Sequence, residues 1–233
     1  MKDNYLRFVS LRLQDYKIFR GLNDFRFNSH QTLIIGDNGT GKTIIAEALE
    51  NLGYPKRSQK TSTIKDRTGS SVAVITDGNS GLIKKYRSFI FLNQESVENL
   101  VAHRQDPKLK AMIPSSAQKV VASKTRRIFH GILPWKIDVY RDLNVDVMAA
   151  GDKICFGYAF VFAVREALKL DVPVVLDSPY AMLDEGLRKG VRDFLADQPC
   201  QQILLGHECE FLKEERPKYI LVNVEGYSHV MKF

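Results

Sequence analysis

The chain has no apolar run long enough to cross a bilayer, no low-complexity segment, no internal repeat and no sustained heptad. These absences exclude a helical membrane protein, a solenoid and a long coiled coil. Cysteine is scarce: Cys155, Cys200 and Cys209 are odd in number and spaced neither as a disulfide framework nor as a zinc site. That usage fits a reducing compartment and predicts three ordinary buried thiols. The opening Met1-Lys2-Asp3-Asn4-Tyr5-Leu6-Arg7 lacks the apolar core of a secretion signal. A cytoplasmic, membrane-independent protein is expected.

What is present is a chain of 233 residues, 44% hydrophobic, enough to bury the core of one compact unit. Lys and Arg number 34 against 27 Asp and Glu, a formal charge of +7 that weakly favours anionic partners. The excess is grouped: Lys56, Arg57, Lys60, Lys65 and Arg67; Lys84, Lys85 and Arg87; Lys119, Lys124, Arg126 and Arg127. A solvated surface and a nucleic-acid face explain these groups equally well, since no aromatic-and-basic motif accompanies them.

Apolar alternation predicts strands over Leu6 to Arg12 and about Phe25 to Phe27, joined by the turn-prone Phe19 to Asp24. A third run, Thr32-Leu33-Ile34-Ile35, enters a glycine-rich loop, and Ile44 to Leu52 then reads as a helix ended by Gly53. Residues 54 to 69 are polar and basic. Two strands, Ser71 to Thr76 and Leu82 to Ser88, are predicted as a hairpin about Asp77-Gly78-Asn79-Ser80-Gly81, followed by a strand Phe89 to Leu92. Residues 96 to 147 read as broken helix. A buried helix from Asp152 to Leu170 precedes an apolar strand Val172 to Asp177. A helix Asp184 to Ala196, a strand Gln202 to Leu205, a helix Glu208 to Glu215 and strands Tyr219 to Val224 and Ser228 to Lys232 complete the pattern.

Two features carry chemistry. Gly36-Asp37-Asn38-Gly39-Thr40-Gly41-Lys42-Thr43 matches G-x-x-x-x-G-K-[ST] between a predicted strand and a predicted helix. Its glycines let backbone N–H groups face phosphate oxygens at a helix N-terminus. Lys42 is expected on the β- and γ-phosphates of ATP, and the Thr43 hydroxyl on Mg2+. Asp177, ending an apolar strand, is placed to make a second contact to that metal.

These motifs, with Phe91-Leu92-Asn93-Gln94-Glu95, Ala149-Ala150-Gly151-Asp152-Lys153, Val175-Leu176-Asp177-Ser178-Pro179, Leu183-Asp184 and Leu204-Leu205-Gly206-His207-Glu208 in that order, resemble the ABC ATPase heads of the SMC, RecF and double-strand-break-repair group. The resemblance spans most of the chain and is weakest over residues 54 to 70 and 96 to 147. It implies an α/β P-loop fold with a mixed central sheet, flanking helices and an N-terminal antiparallel β subdomain. The whole of residues 1 to 233 would be one head: a lobe over 1 to 95, a helical insert over 96 to 148, and a second lobe over 149 to 233. By motif position, Gln94 resembles the Q-loop glutamine that senses Mg2+ and γ-phosphate. Gly151 and Lys153 resemble the signature loop, Asp184 the D-loop aspartate and His207 the switch histidine. The family's coiled-coil arm would occupy residues 95 to 148, which are too few for one, so the chain resembles either an armless, RecF-like head or a head whose arm has been removed.

Two positions depart from the family. Ala149 stands where the signature usually has Ser, removing a hydroxyl that would grip a partner's γ-phosphate. Ser178 stands where a glutamate usually follows the Asp177 position, and loss of a general base costs about 10²–10⁴ in rate. Asp-Ser-Pro resembles the Asp-Thr-Pro of ATPases linked to DNA sulfur modification, whose heads also lack that glutamate. Glu185, Glu208 and Glu95 are candidate substitutes. The resemblance thus implies a slow ATPase that forms a homodimer on ATP and Mg2+ and controls a DNA-repair, DNA-modification or defence complex, with DNA and a nuclease or modification enzyme as partners. The alternatives are a nucleotide-dependent sensor with negligible turnover and, less closely, a transporter ATPase.

Overall fold

The computed structural model describes residues 4–27, 29–51, 69–102, 112–138, 144–212 and 215–233. These fall into two compact units, one of residues 1–91, 172–179 and 200–233, the other of residues 92–171 and 180–199.

The first unit is built on two sheets. Strands β1 (Leu6–Gln14), β2 (Leu22–Arg26) and β4 (Ser71–Gly78) form an antiparallel sheet in the order β2-β1-β4. Strand β1 buries Leu6, Phe8, Leu11 and Leu13, with a register shift between Phe8 and Ser10 that re-aims the pleat. The second sheet runs β5-β6-β7-β3-β8-β9, with β3 (Gln31–Gly36), β5 (Phe91–Asn93), β6 (Val174–Asp177), β7 (Gln202–Gly206), β8 (Tyr219–Val224) and β9 (Tyr227–Lys232). Strands β6, β7, β3 and β8 pair in parallel, and β9 closes an edge antiparallel to β8. Their near-continuous apolar runs are what a parallel sheet buried on both faces requires.

Two buried polar side chains tie the sheets together. Gln201 Nε2 donates to Phe8 O at 2.8 Å and Phe27 O at 2.6 Å, while its Oε1 accepts from the Phe8 N–H at 2.9 Å. The Tyr219 hydroxyl accepts from the Arg26 N–H at 2.6 Å, and its ring meets Phe25 edge-on at 5.1 Å. The Gln201 bonds satisfy backbone groups of the buried Phe8 and Phe27.

The second unit is helical: α3 (Gln94–Ala102), α4 (Ser115–Ile132), α5 (Ala150–Ala167) and α6 (Glu185–Ala196). Helix α5 is its axis, buried on nearly every face as its all-round apolar sequence predicts. Phe156 packs on Phe129 of α4 at 5.7 Å and Phe162 on Phe194 of α6 at 5.0 Å, both edge-on.

Several expectations are corrected. The predicted hairpin partner of β4 is helix α2 (Gly81–Tyr86), and β4 pairs instead with β1. The turn chemistry of Asp77-Gly78 does end the strand, but Leu82, Ile83 and Tyr86 are spaced to bury one helical face, and Asn79 Oδ1 accepts the Gly81 N–H at 3.0 Å to start the turn. A 3-10 turn, Arg87–Phe89, replaces the start of the strand expected from Phe89. The helix expected over Glu208 to Glu215 is a 3-10 turn, Glu208–Glu210, after which Phe211 is extended. Cys155 and Cys200 are buried as expected, but Cys209, on that turn, is exposed. The basic group Lys56 to Arg67 and the helix-ending Gly53 lie outside the described residues.

Candidate functional site

The P-loop follows β3 and opens helix α1 (Lys42–Glu50). The Thr40 hydroxyl donates to Asp37 O at 2.8 Å, and Ser228 Oγ of β9 donates to Thr40 O at 2.5 Å, so the loop is held from inside and from the edge hairpin. Gly41 has φ +95°, and a Cβ there would lie 2.8 Å from the Phe19 ring, so only glycine fits. Asp37, Asn38 and Gly39 form the exposed tip.

Helix α1 begins with no side-chain cap and no acid in its first turn, and a cation, Lys42, occupies its first position. Each choice is unfavourable for an isolated helix, whose N-terminal N–H groups prefer a capping oxygen and negative charge. Together they suit an external anion with several oxygens. Lys42 Nζ donates to Gly36 O at 2.7 Å and Asp37 O at 2.8 Å, which holds the ammonium over the loop. Burial lowers its pKa, against the pull of Asp177, Glu210 and Asp37. Phosphate oxygens within its reach would reverse that cost.

Asp177 ends β6, and its Oδ2 accepts a 3.1 Å hydrogen bond from the Thr43 hydroxyl. Burial raises the Asp177 pKa, the Thr43 bond and Lys42 oppose the rise, Glu210 adds to it and His207 lowers it. A carboxylate and a hydroxyl oxygen side by side in a partly desolvated site are donors of the kind a hard divalent cation takes, so the residues fit Mg2+. Among the described residues no group of three or more His, Cys, Asp or Glu forms a metal cage.

The parallel register places the ends of β3, β6 and β7 side by side: Asp177 is opposite Leu205, and Ile35 opposite Gly206. His207, following β7, therefore leaves the sheet at the same strand ends as the P-loop and Asp177. Its N–H donates to Glu210 Oε1 at 3.0 Å. The sequence points to the exposed Glu208 rather than to Glu210, because which residue of a three-residue 3-10 turn faces inward leaves no periodic signal.

In the helical unit, Gly151 and Lys153 lie in the first turn and a half of α5, whose N-cap is Ala149, with no side-chain cap. Between them Asp152, 1% exposed, accepts bonds from Lys136 Nζ at 2.7 and 2.9 Å. The Asp184 carboxylate caps α6 by accepting the Leu187 N–H at 2.9 Å. Gln94 opens α3 and donates to Glu98 at 3.0 Å. Of the other candidate carboxylates, Glu95 and Glu185 are exposed in the first turns of α3 and α6. The site residues thus divide: Gly36 to Thr43, Asp177 and His207 lie at the same end of the parallel strands, while Gln94, Gly151, Lys153 and Asp184 belong to the helical unit.

Comparison with solved structures shows the same fold. The SMC head domain from Thermotoga maritima matches with a TM-score of 0.65 and 15% identity, covering 97% of this chain and 99% of that one. The Smc head domain from Pyrococcus furiosus, with an extended coiled coil and bound to the C-terminal domain of ScpA, matches at 0.63 with 12% identity, over 98% and 96%. An ATP-binding cassette of an ABC transporter in its ADP conformation matches at 0.57 with 14% identity, over 97% and 92%. No curated protein matches the sequence. The family model of the AAA domain matches residues 10–138, more than half of the chain. With the P-loop at the end of β3 and the mixed sheet of an ABC and SMC head around it, the chain belongs to the AAA domain family.

Proposed function

We propose that the chain binds ATP with Mg2+ and hydrolyses it slowly, as a head that closes on a second copy of itself. The observation that carries this reading is the meeting of Thr43 and Asp177 beside the uncapped, lysine-led N-terminus of α1. The backbone N–H groups of Gly39 to Thr43 would receive the phosphates, and Lys42 would exchange its two carbonyl oxygens for β- and γ-phosphate oxygens. Thr43 and Asp177 would hold Mg2+, which neutralises charge on those phosphates, with Gln94 as a further contact. His207 would meet the γ-phosphate.

In this reading residues 1–233 act as one head, with lobes 1–95 and 149–233 and the segment 96–148 in place of an arm. The P-loop of one copy faces Gly151 and Lys153 of the other, with Asp184 at the seam. Ser178 and its Asp-Ser-Pro context support kinship with the ATPases of DNA sulfur modification. The output would be control of a DNA-repair, DNA-modification or defence complex in the cytoplasm, through DNA and a nuclease or modification enzyme. No described helix is long and apolar enough to cross a membrane. One similar head is described bound to a domain of ScpA, which supports a small protein partner here.

Ala149 and Ser178 favour a second reading, a sensor that closes on ATP with negligible turnover. The test is phosphate release and oligomeric state measured together with MgATP. Turnover that Lys42→Ala abolishes supports the ATPase; ATP-dependent dimers without turnover support the sensor; neither binding nor turnover refutes both.

A further inference from the structure

Among the described residues two carboxylates are deeply buried, Asp152 at 1% and Glu210 at 3% exposure. Asp152 is neutralised by Lys136 in the helical unit. Glu210 lies in the sheet unit, at the strand ends that carry the P-loop. Glu210 is drawn inward from a 3-10 turn whose other residues, Glu208 and Cys209, face solvent.

The local geometry turns Glu210 back toward the end of β7. Its Oε1 accepts the His207 N–H at 3.0 Å while its own N–H donates to His207 O at 3.0 Å, closing the turn. Gly206 makes room: a Cβ there would stand 3.3 Å from Oε1 and 2.6 Å from the Phe211 ring. The carboxylate therefore sits where β7 leaves the sheet, one strand over from Asp177 and one from the P-loop. Its charge is felt on both sides, holding Lys42 toward protonation and raising Asp177. Across the same strand pair, Ser178 offers only a hydroxyl; its backbone is left-handed at φ 52° and its N–H is committed to Leu205 O at 2.7 Å.

We propose that Glu210 is the second acid of the hydrolytic site, supplied from the end of β7 in place of the glutamate that position 178 lacks. This rests on the ATPase reading above. The water oxygen bonds to the γ-phosphorus as the bond from that phosphorus to the β,γ-bridging oxygen breaks. ADP leaves with the electron pair, the water proton passes to the Glu210 carboxylate, and from there it returns to solvent with phosphate. The bond to His207 places the same carboxylate against the residue that meets the γ-phosphate.

Glu210→Gln separates the two tasks, because the amide oxygen still accepts the His207 N–H while the base is gone. Steady-state phosphate release and binding of a fluorescent ATP analogue with Mg2+ are measured for wild type, E210Q and E210D. The expected result is a kcat lowered by about 10² or more in E210Q, with KM and analogue affinity within about threefold of wild type, and intermediate turnover in E210D. Wild-type turnover in E210Q overturns the proposal, as does a loss of analogue binding that parallels the loss of turnover. If E210Q does not fold, E210D decides: turnover down by about tenfold or more at unchanged KM supports the role, and wild-type turnover overturns it. A wild type that binds the analogue without hydrolysis overturns this proposal alone; a wild type that binds nothing overturns the ATPase reading with it.

Discussion

Thr43 and Asp177, separated by 134 positions in the chain, meet through a 3.1 Å hydrogen bond from the Thr43 hydroxyl to Asp177 Oδ2. Their meeting is not local in sequence. Thr43 is set by the P-loop turn out of β3, Asp177 by the end of β6, and β7 lies between those strands. The bond thus reports the order β6-β7-β3 within the sheet.

Asp177→Asn should separate stability from function. Burial raises the Asp177 pKa, so the folded state disfavours the ionised carboxylate relative to the unfolded chain. The cost sets in as pH rises through the ordinary carboxylate range and is full above the raised folded value; it is relieved as pH falls back. The neutral amide avoids it. At pH 7 without nucleotide the variant should melt higher than wild type, while its Mg2+-dependent gain in ATP affinity should fall by about tenfold or more, or about 1.4 kcal/mol. Calorimetric melts and nucleotide titrations with and without Mg2+ check both signs.

Gly41→Ala should disable the loop. The position needs φ +95°, and a Cβ would press on Phe19 at 2.8 Å. Left-handed backbone alone costs a non-glycine residue about 1–2 kcal/mol, and either Phe19 or the start of α1 must shift. ATP affinity should drop at least about tenfold with the fold retained, as followed by circular dichroism and nucleotide titration.

Ala149→Ser should stabilise the chain. Ala149 is the N-cap of α5 with extended backbone and no side-chain acceptor for the first-turn N–H groups. A serine hydroxyl there is worth about 1 kcal/mol, seen as a higher denaturant midpoint. If this loop faces the nucleotide of a second copy, ATP-dependent dimerisation tightens too; an unchanged dimer constant would detach Ala149 from the interface.

The thiols should react in a fixed order. Burial, with Asp152 next in weight, pushes the Cys155 thiol up to about 12, so it carries almost no thiolate near pH 8. Cys209 is exposed on the turn between His207 and Glu210. Alkylation followed by mass spectrometry should label Cys209 first and Cys155 only on unfolding, with Cys209 labelling slowed by MgATP.

Much of this was legible in the sequence, for identifiable reasons. Strands β3, β6 and β7 announce themselves by short apolar runs, and helix α5 by apolar residues on nearly every face, because each is largely buried. The P-loop is legible because its glycines, lysine and threonine each answer a separate geometric demand. The reading failed where tertiary pairing overrode local signals. β4 found β1 rather than the segment after its turn, and Leu82 to Tyr86, ambiguous over so short a run, took the helical period. Glu210 escaped notice because its inward turn depends on Gly206 and on a bond to His207, which no periodicity reports.

The most direct measurement is ATP hydrolysis by wild type and Lys42→Ala, with mass followed by light scattering in the same MgATP samples. The account predicts slow turnover and a shift toward dimer in wild type, both absent in Lys42→Ala. A wild type that stays monomeric and releases no phosphate at saturating MgATP would contradict it.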